Sequence, residues 1–270
     1  MEAMTRVDER LVAEGKAENI ALARALVMAG RVYINERKVE KPSQPVKPNE
    51  RLEVRGEMTP YVSRGAKKLK KAIEVFDIDV RGKTCIDVGA STGGFTDVML
   101  RAGAEKVYSV DVGYNQLDYR LRSDARVKVM ERQNARYLTM DMFDKSLEFG
   151  ATDVSFISLK LILPVCFSLM AEDARFVALI KPQFEARKED VGEKGVVRDK
   201  MVHRQVVSDI VEFVNSGESG WKVEGLDYSP ITGPEGNMEF LIVMRKGCVS
   251  NIDELHICNI IDEAHDNFIK

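Results

Sequence analysis

The stretch Cys85-Ile-Asp-Val-Gly-Ala-Ser-Thr-Gly-Gly-Phe-Thr96 constrains this chain more than any other. Thr84 to Val88 are apolar and β-favouring with one acid among them, and Gly89 to Gly94 let the backbone turn tightly. Phe95, Val98, Met99 and Ala102 then recur at helical spacing. The pattern is that of a buried strand running into a glycine-rich turn and a helix. In open α/β sheets such turns lie at the carboxyl ends of strands, where ligands bind.

Glycine alone does not name the ligand. A P-loop needs a Lys and a Ser or Thr directly after its last glycine, whereas Phe95 and Thr96 follow Gly94. A dinucleotide site wants G-x-G-x-x-G, whereas this turn is Gly89-Ala-Ser-Thr-Gly93-Gly94 with Asp87 just before it. An acid there repels pyrophosphate but suits a cofactor carrying a cationic amine, and S-adenosylmethionine fits. The next strand, Lys106 to Val110, ends at Asp111, placed to accept hydrogen bonds from ribose hydroxyls. The plainer alternative is an ordinary βα turn with two solvated carboxylates.

A chain of 270 residues can bury one sizeable core and carry a small second domain. No apolar run approaches the roughly 20 residues of a membrane helix, and Met-Glu-Ala-Met-Thr-Arg lacks the apolar core of a signal peptide. The expectation is a cytoplasmic protein without a membrane role. Cys85, Cys166, Cys248 and Cys258 show no C-x-x-C pairing and form no ligand spacing with His203, His256 or His265, so no metal is expected.

Net charge hides a split. Residues 1–71 hold 16 basic against 10 acidic residues, a balance of +6, so the remainder carries −9 within the total of −3. One end is suited to a polyanion, although a basic segment also serves as a solvated face. Arg6 to Glu14 reads as a helix with Val7, Leu11 and Val12 inward. Ile20 to Ala29 reads as a second, with Ala21, Ala25, Leu26 and Met28 inward, closed by Gly30. Val32 to Ile34 and Leu52 to Val54 alternate as strands around a loop through Pro42, Pro45 and Pro48. Arg6, Arg10, Arg24 and Arg31 are expected on one face beside the turn, as RNA contacts together with Arg64. This arrangement over about residues 5–55 resembles the small RNA-binding domain named after ribosomal protein S4.

Arg55 to Pro60, with Gly56, is the expected joint. Boundaries follow at 1–58 for the RNA-binding domain, 59–246 for a catalytic domain and 247–270 for a helical tail containing Leu255, Ile257, Ile260 and Ile261. After the joint, Ser63 is predicted to cap a helix burying Ala66, Leu69, Ala72, Ile73 and Phe76, with Lys67, Lys68, Lys70 and Lys71 covering its outside. Further strands are expected at Val127 to Met130, Thr152 to Phe156 and Phe176 to Ile180, the last running into Lys181-Pro182. Helices near 160–171 and 199–215 alternate with them, the signature of a doubly wound sheet. Two late strands, 221–228 and Phe240 to Met244, are joined by the tight return Pro230 to Glu239. An antiparallel last strand would bring Glu239 near Asp153 and Lys181.

The ordered motifs YVSRGAKKL, CIDVGASTGGFTD, VDVGYNQL, TDVSFISL, LIKPQFEA and ITGPEGNMEFL resemble those of the haemolysin A, or TlyA-type, ribosomal RNA methyltransferases, whose catalytic domain is similar to FtsJ-type RNA 2′-O-methyltransferases. The resemblance covers about residues 5–246. It implies an α/β fold: a doubly wound, Rossmann-like methyltransferase sheet with an antiparallel last strand, preceded by a small α+β RNA-binding domain. It also implies a catalytic tetrad at Lys68, Asp153, Lys181 and Glu239, with Lys67 adjacent to the first. Tyr61 stands where relatives often have Trp. The implied substrate is ribosomal RNA in ribosomal subunits, at a cytidine.

For that chemistry a ribose 2′-hydroxyl must lose its proton as it attacks a sulfonium methyl. Lys181 is the expected base, depressed by a neighbouring ammonium and partial desolvation. Asp153 would orient it, Lys68 would steady the alkoxide and Glu239 would hold the lysines. Gly89, Ser91, Gly93, Gly94, Phe95 and Thr96 are expected around the methionine part of the cofactor, with Asp87 at its amine. Asp111 is expected at the ribose, with Asn134 and Ala135 flanking the adenine. The basic loop Pro182 to Val197 and Phe184 are candidates for RNA contact, Phe184 by stacking on a base, and Trp221 for the core. Two other readings stay open at this level: a non-catalytic RNA-binding assembly factor, and a membrane-active haemolysin.

Overall fold

The computed structural model describes residues 4–28, 30–55 and 60–269. The chain divides into two compact units, Met1–Thr59 and Pro60–Lys270. The expected boundary at 58/59 and the helix end at Ala29 lie outside the described residues.

In the first unit, strand β1 (Thr5–Arg6) leads into α1 (Val7–Ala13), followed by α2 (Ile20–Met28). Strand β2 (Val32–Ile34) is the centre of a three-stranded antiparallel sheet with β3 (Arg37–Lys38) and β5 (Leu52–Val54), and β4 (Pro45–Val46) pairs with β1. Val7 and Leu11 are buried as expected, but α2 turns a different face inward. Ala23, Leu26 and Val27 are buried, while Ala21, Ala25 and Met28 point outward. The segment Ile20–Met28 is apolar nearly all round, so periodicity does not choose a face. Packing with Val7, Leu11 and Val32 in one cluster does.

The second unit is a seven-stranded sheet in the order β11-β12-β10-β9-β6-β7-β8. Its strands are β6 (Thr84–Val88), β7 (Lys106–Val110), β8 (Val127–Met130), β9 (Leu147–Thr152), β10 (Met170–Ile180), β11 (Trp221–Tyr228) and β12 (Phe240–Lys246). From β8 to β10 all neighbours are parallel. Strand β12 then runs antiparallel between β10 and β11. The chain leaves β6 toward β7 and β8 and returns on its other side with β9, so the strand order reverses at β6/β9. A ligand crevice is expected at the carboxyl ends there.

Helices α3 (Ala66–Val75) and α4 (Gly94–Arg101) contribute to a core cluster on one face of the sheet. Helices α6 (Leu159–Leu169), α8 (Lys200–Ser216) and α9 (Glu254–Phe268) contribute to the cluster on the other. Short helices α5 (Tyr119–Arg122) and α7 (Pro182–Glu185) complete the unit. Trp221 is fully buried, its ring stacked 4.4 Å from Phe167. The terminal helix α9 buries Ile257, Ile261 and Ala264 in the same core and leaves Leu255 exposed. Among the described residues no helix is long and apolar enough to cross a membrane.

Three local expectations are corrected. The strand predicted at Thr152 to Phe156 lies earlier, at Leu147–Thr152. It ends where the Asp153 amide donates to Val88 O at 3.2 Å and the chain turns away, reaching φ 63° at Phe156. Ser63 does not cap α3, whose N-cap is Gly65 with no side-chain bond. Lys68 is buried and not on the outer surface of that helix.

Close packing at the centre of the sheet gives a stability test. A Cβ on Gly150 of β9 would fall 2.4 Å from the Phe176 ring of β10. Gly150→Ala is therefore expected to lower unfolding stability by about 1–3 kcal/mol through overpacking. The urea midpoint would read this, and an unchanged midpoint would contradict the packing described.

Candidate active site

The antiparallel register decides which residues meet at the rim. Ile180 of β10 is paired with Phe240 of β12, so Lys181 leaves β10 where Glu239 enters β12. Val88 is paired with Thr152, which sets Asp153 beside the turn that begins at Gly89. Gly89 has φ +83°, and a Cβ there would lie 3.2 Å from Asp153 O, so this approach requires glycine. The strands and helix α3 thus bring Lys68, Asp153, Lys181 and Glu239 into one chain of ion pairs. Lys68 Nζ lies 2.6 Å from Glu239 Oε2 and 3.0 Å from Asp153 Oδ2, and Lys181 Nζ lies 2.5 Å from Asp153 Oδ1.

Asp153 is the bridge between the two lysines, and Glu239 binds Lys68. This differs from the expectation that Glu239 holds both. The geometry also selects Lys68 over Lys67 as the residue in this chain. Burial pushes the Lys68 ammonium toward neutrality, but Asp153 and Glu239 together outweigh that and raise its pKa. Burial likewise opposes ionisation of Asp153, and the charges of Lys68 and Lys181 more than reverse it, lowering its pKa. Sequence reasoning missed Ser155, whose Oγ accepts a hydrogen bond from Lys181 Nζ at 3.0 Å. Its place two residues after Asp153 in TDVSF was the available signal.

Two cavities meet over this rim, sharing Gly89, Ser91, Asp153 and Ser155. One, about 260 Å³, is lined by all four charged residues together with Asp87, Gly94 and Phe95. The other, about 510 Å³, takes in Asp111, Asn134 and Ala135 with apolar walls from Val110, Val112, Val154, Ile157 and Ile162. Gln116 and Gln133, not expected from the sequence, also line it. Asp111 is held by the amides of Ser91 and Gly113, each 2.7 Å away. Asn134 Oδ1 caps a short 3₁₀ turn by accepting from the Arg136 amide at 3.1 Å.

Gly93 and Thr96 line neither cavity. Gly93 has φ +94°, and a Cβ would strike Leu117 and Leu121. Thr96 is fully buried beneath the turn, where its amide and hydroxyl donate to Asp87 Oδ2 at 2.8 and 2.7 Å. It faces back toward β6 because it is the third residue of α4. Asp87 Oδ1 is buried with no hydrogen-bond partner. Burial pushes the Asp87 carboxyl up to about 7 against the Thr96 bonds, with the charges of Asp153 and Asp111 adding to the rise. An unpartnered acid at the wall of the smaller cavity, with a nucleoside-sized, largely apolar cavity adjoining, fits a ligand that ends in an amine.

Residues 61–246 match the FtsJ-like methyltransferase family. The chain belongs to that family. Residues 5–52 match the S4 domain. YqxC of Bacillus subtilis (strain 168), provisionally named an rRNA methyltransferase, is 46% identical over 267 residues, covering 96% of this chain and 94% of its own. The 16S/23S rRNA (cytidine-2′-O)-methyltransferase TlyA of Mycobacterium tuberculosis (strain ATCC 25618 / H37Rv) is 42% identical over 241 residues, 89% of each chain. A solved structure from Streptococcus thermophilus, provisionally named a hemolysin, superposes with a TM-score of 0.77 at 42% identity, covering 99% of this chain and 98% of that one.

Within the S4 domain the four arginines do not act alike. Arg6 and Arg24 converge on the buried carboxylate of Asp8, with closest contacts of 2.8 and 2.9 Å. Arg31 lies half-buried just before β2. Arg10 instead ties α1 to Glu14 and to the carbonyls of Lys47, Pro48 and Glu50, a structural strut. In the FtsJ-like domain Arg64 is exposed and donates to Thr232 O at 2.9 Å. The aromatic ring most open to solvent beside the site is Phe156, 89% exposed, while Phe184 is half-buried with its centroid 4.9 Å away. Among the described residues no group of three or more His, Cys, Asp or Glu could hold a metal ion.

The Asp87 carboxyl is raised in the folded chain, so the stability it contributes is full below its unfolded value near 4 and is lost as pH rises through about 7. In the ligand-free protein Asp87→Asn is expected to raise the melting temperature at pH 8, with the gain shrinking toward pH 5. A gain independent of pH would show that the Asp87 charge is not the cause.

Proposed function

We propose that this protein transfers a methyl group from S-adenosylmethionine to a ribose 2′-hydroxyl of ribosomal RNA, at a cytidine, in the cytoplasm. The observation that carries the reading is Lys181 Nζ held between Asp153 and Ser155 at the rim of the cleft, with the ammonium of Lys68 on the far side of the same carboxylate.

A neutral lysine amine has two N–H donors and one lone pair. Once the Lys181 ammonium has given up a proton, its amine still has Ser155 Oγ at 3.0 Å and Asp153 Oδ1 at 2.5 Å to orient it, and its lone pair can accept the proton of an incoming hydroxyl. Asp153 orients this base. Lys68, kept protonated by Asp153 and Glu239, is the fixed positive charge beside the developing alkoxide. When bound, S-adenosylmethionine supplies an electrophilic methyl on a sulfonium. Asp87 Oδ1 would receive its amine, Asp111 its ribose hydroxyls, and Asn134 and Ala135 would border its adenine. Phe156 offers an open ring face to a base near the reacting ribose, the part first expected of Phe184.

The substrate rests on three supports: the S4 domain, the rRNA methyltransferase names of the relatives, and the basic first 71 residues. Arg6, Arg24, Arg31 and Arg64 are the proposed RNA contacts.

Mapping 2′-O-methylation in ribosomal RNA from cells with and without this protein tests the reading, and an unchanged map would overturn it. Lys181→Ala is expected to abolish transfer of labelled methyl from S-adenosylmethionine to ribosomal subunits while the protein still folds, as a retained cooperative melting transition would show. A fully active Lys181→Ala protein would remove Lys181 as base, and full cellular function without methyl transfer would favour an assembly factor. Asp87→Asn is expected to weaken S-adenosylmethionine binding at least tenfold by calorimetry, about 1.4 kcal/mol or more.

A further inference from the structure

The base and its partner come from two separate segments, the loop after β9 (153–158) and the turn after β10 (181–185). Three contacts join them. Lys181 reaches Asp153 and Ser155, the rings of Phe156 and Phe184 lie 4.9 Å apart, and Glu185 closes the far end. Glu185 Oε2 accepts from Ser158 Oγ at 2.6 Å and Oε1 accepts from the Leu159 amide at 2.7 Å. Its carboxylate thus occupies the N-terminus of α6, where free amides and the helix dipole favour an acceptor.

Between these anchors Phe156 adopts φ 63°, a left-handed conformation that a bulky residue holds only when its surroundings enforce it. Asp153 is fixed at one end of the strained turn by the two lysines, and Ser158 and Leu159 at the other by Glu185. Without the second anchor the turn can relax toward ordinary backbone, and Asp153 and Ser155 would move with it.

We propose that Glu185 is a positioning residue for the methyl transfer, a clasp that holds the 153–158 turn in its strained form and so keeps Asp153 and Ser155 in register with Lys181. The inference rests on the proposed function, since it assigns Glu185 a part in that reaction. Glu185 acts through the turn: its carboxylate is bonded to Ser158 and Leu159 and not to Lys181. The side chain also accounts for the acid four residues after Lys181 in LIKPQFEA, which the tetrad leaves without a task.

Two variants separate positioning from simple stability. Glu185→Ala removes both bonds. Glu185→Gln can keep both, because its carbonyl accepts from Leu159 and its amide donates to a rotated Ser158 hydroxyl. Glu185→Ala is expected to lower kcat for methyl transfer to ribosomal subunits roughly 10- to 100-fold. KM for S-adenosylmethionine should stay within about twofold, because the clasp is remote from the Asp87 and Asp111 ends of the cleft. Hydrogen exchange should accelerate in residues 154–160 and not in β6 or β10. Glu185→Gln should restore most of kcat and the protection. Ser158→Ala, which removes the bond to Glu185 together with the cap on the Lys160 amide, should likewise lower kcat and accelerate exchange in 154–160. Parental kcat in Glu185→Ala overturns the proposal, as does a loss of activity with unchanged exchange in 154–160. If the parent itself transfers no methyl, the functional reading fails separately. The exchange comparison then still decides whether the clasp holds the turn, and unchanged protection in Glu185→Ala would refute it.

Discussion

Burying the ammonium of Lys68 is a cost that the surrounding structure must offset, and the way it does so organises the whole rim. Desolvation alone would favour the neutral amine. Two carboxylates prevent this, and they come from different parts of the sheet: Asp153 follows β9 and Glu239 precedes β12. Helix α3, the parallel strands and the antiparallel strand are thereby tied at one point. The second lysine, Lys181, uses the remaining oxygen of Asp153, so each partner of the bridge depends on the others.

This point coincides with the reversal of strand order between β6 and β9, where a doubly wound sheet opens a crevice. The glycine-rich turn lines that crevice from one side and the ion-pair chain from another. Asp87, at the end of β6, lines the same cavity as both. It is fastened from below by Thr96, which itself contacts Ser109, and presents an unpartnered oxygen above. A free-state penalty at Asp87 that a cationic ligand relieves is a direct way to turn burial into binding preference.

Much of this was legible in linear order. The strand-turn-helix at 84–101, the basic N-terminal segment, the antiparallel return into Phe240 and the core position of Trp221 all follow from local periodicity and charge. Where the structure departs from the local reading, or gives a residue a further part, the causes are physical. Helix α2 is apolar on nearly every side, so its buried face could not be read from spacing. Asp153 looked like a strand residue because TDVSF alternates, yet the ladder ends at Thr152. Gly93 and Thr96 resembled ligand contacts because they belong to the turn, although one makes room for Leu117 and Leu121 and the other supports Asp87. Arg10 looked like a surface cation and is a strut to three carbonyls.

By itself the sequence determined which elements form and which residue types stand at their ends, because periodicity, glycine and charge act over a few neighbours. Lys68 stands among three other lysines on one helix, and the motif resemblance pointed to it without a local physical reason. The tertiary structure supplies that reason, since strand register brings Asp153 and Glu239 within reach of Lys68 from 85 and 171 residues away. The same holds for Ser155, Phe156 and Glu185. Their positions depend on two loops meeting after separate strands, and pairing across a sheet leaves no trace in the spacing of either segment.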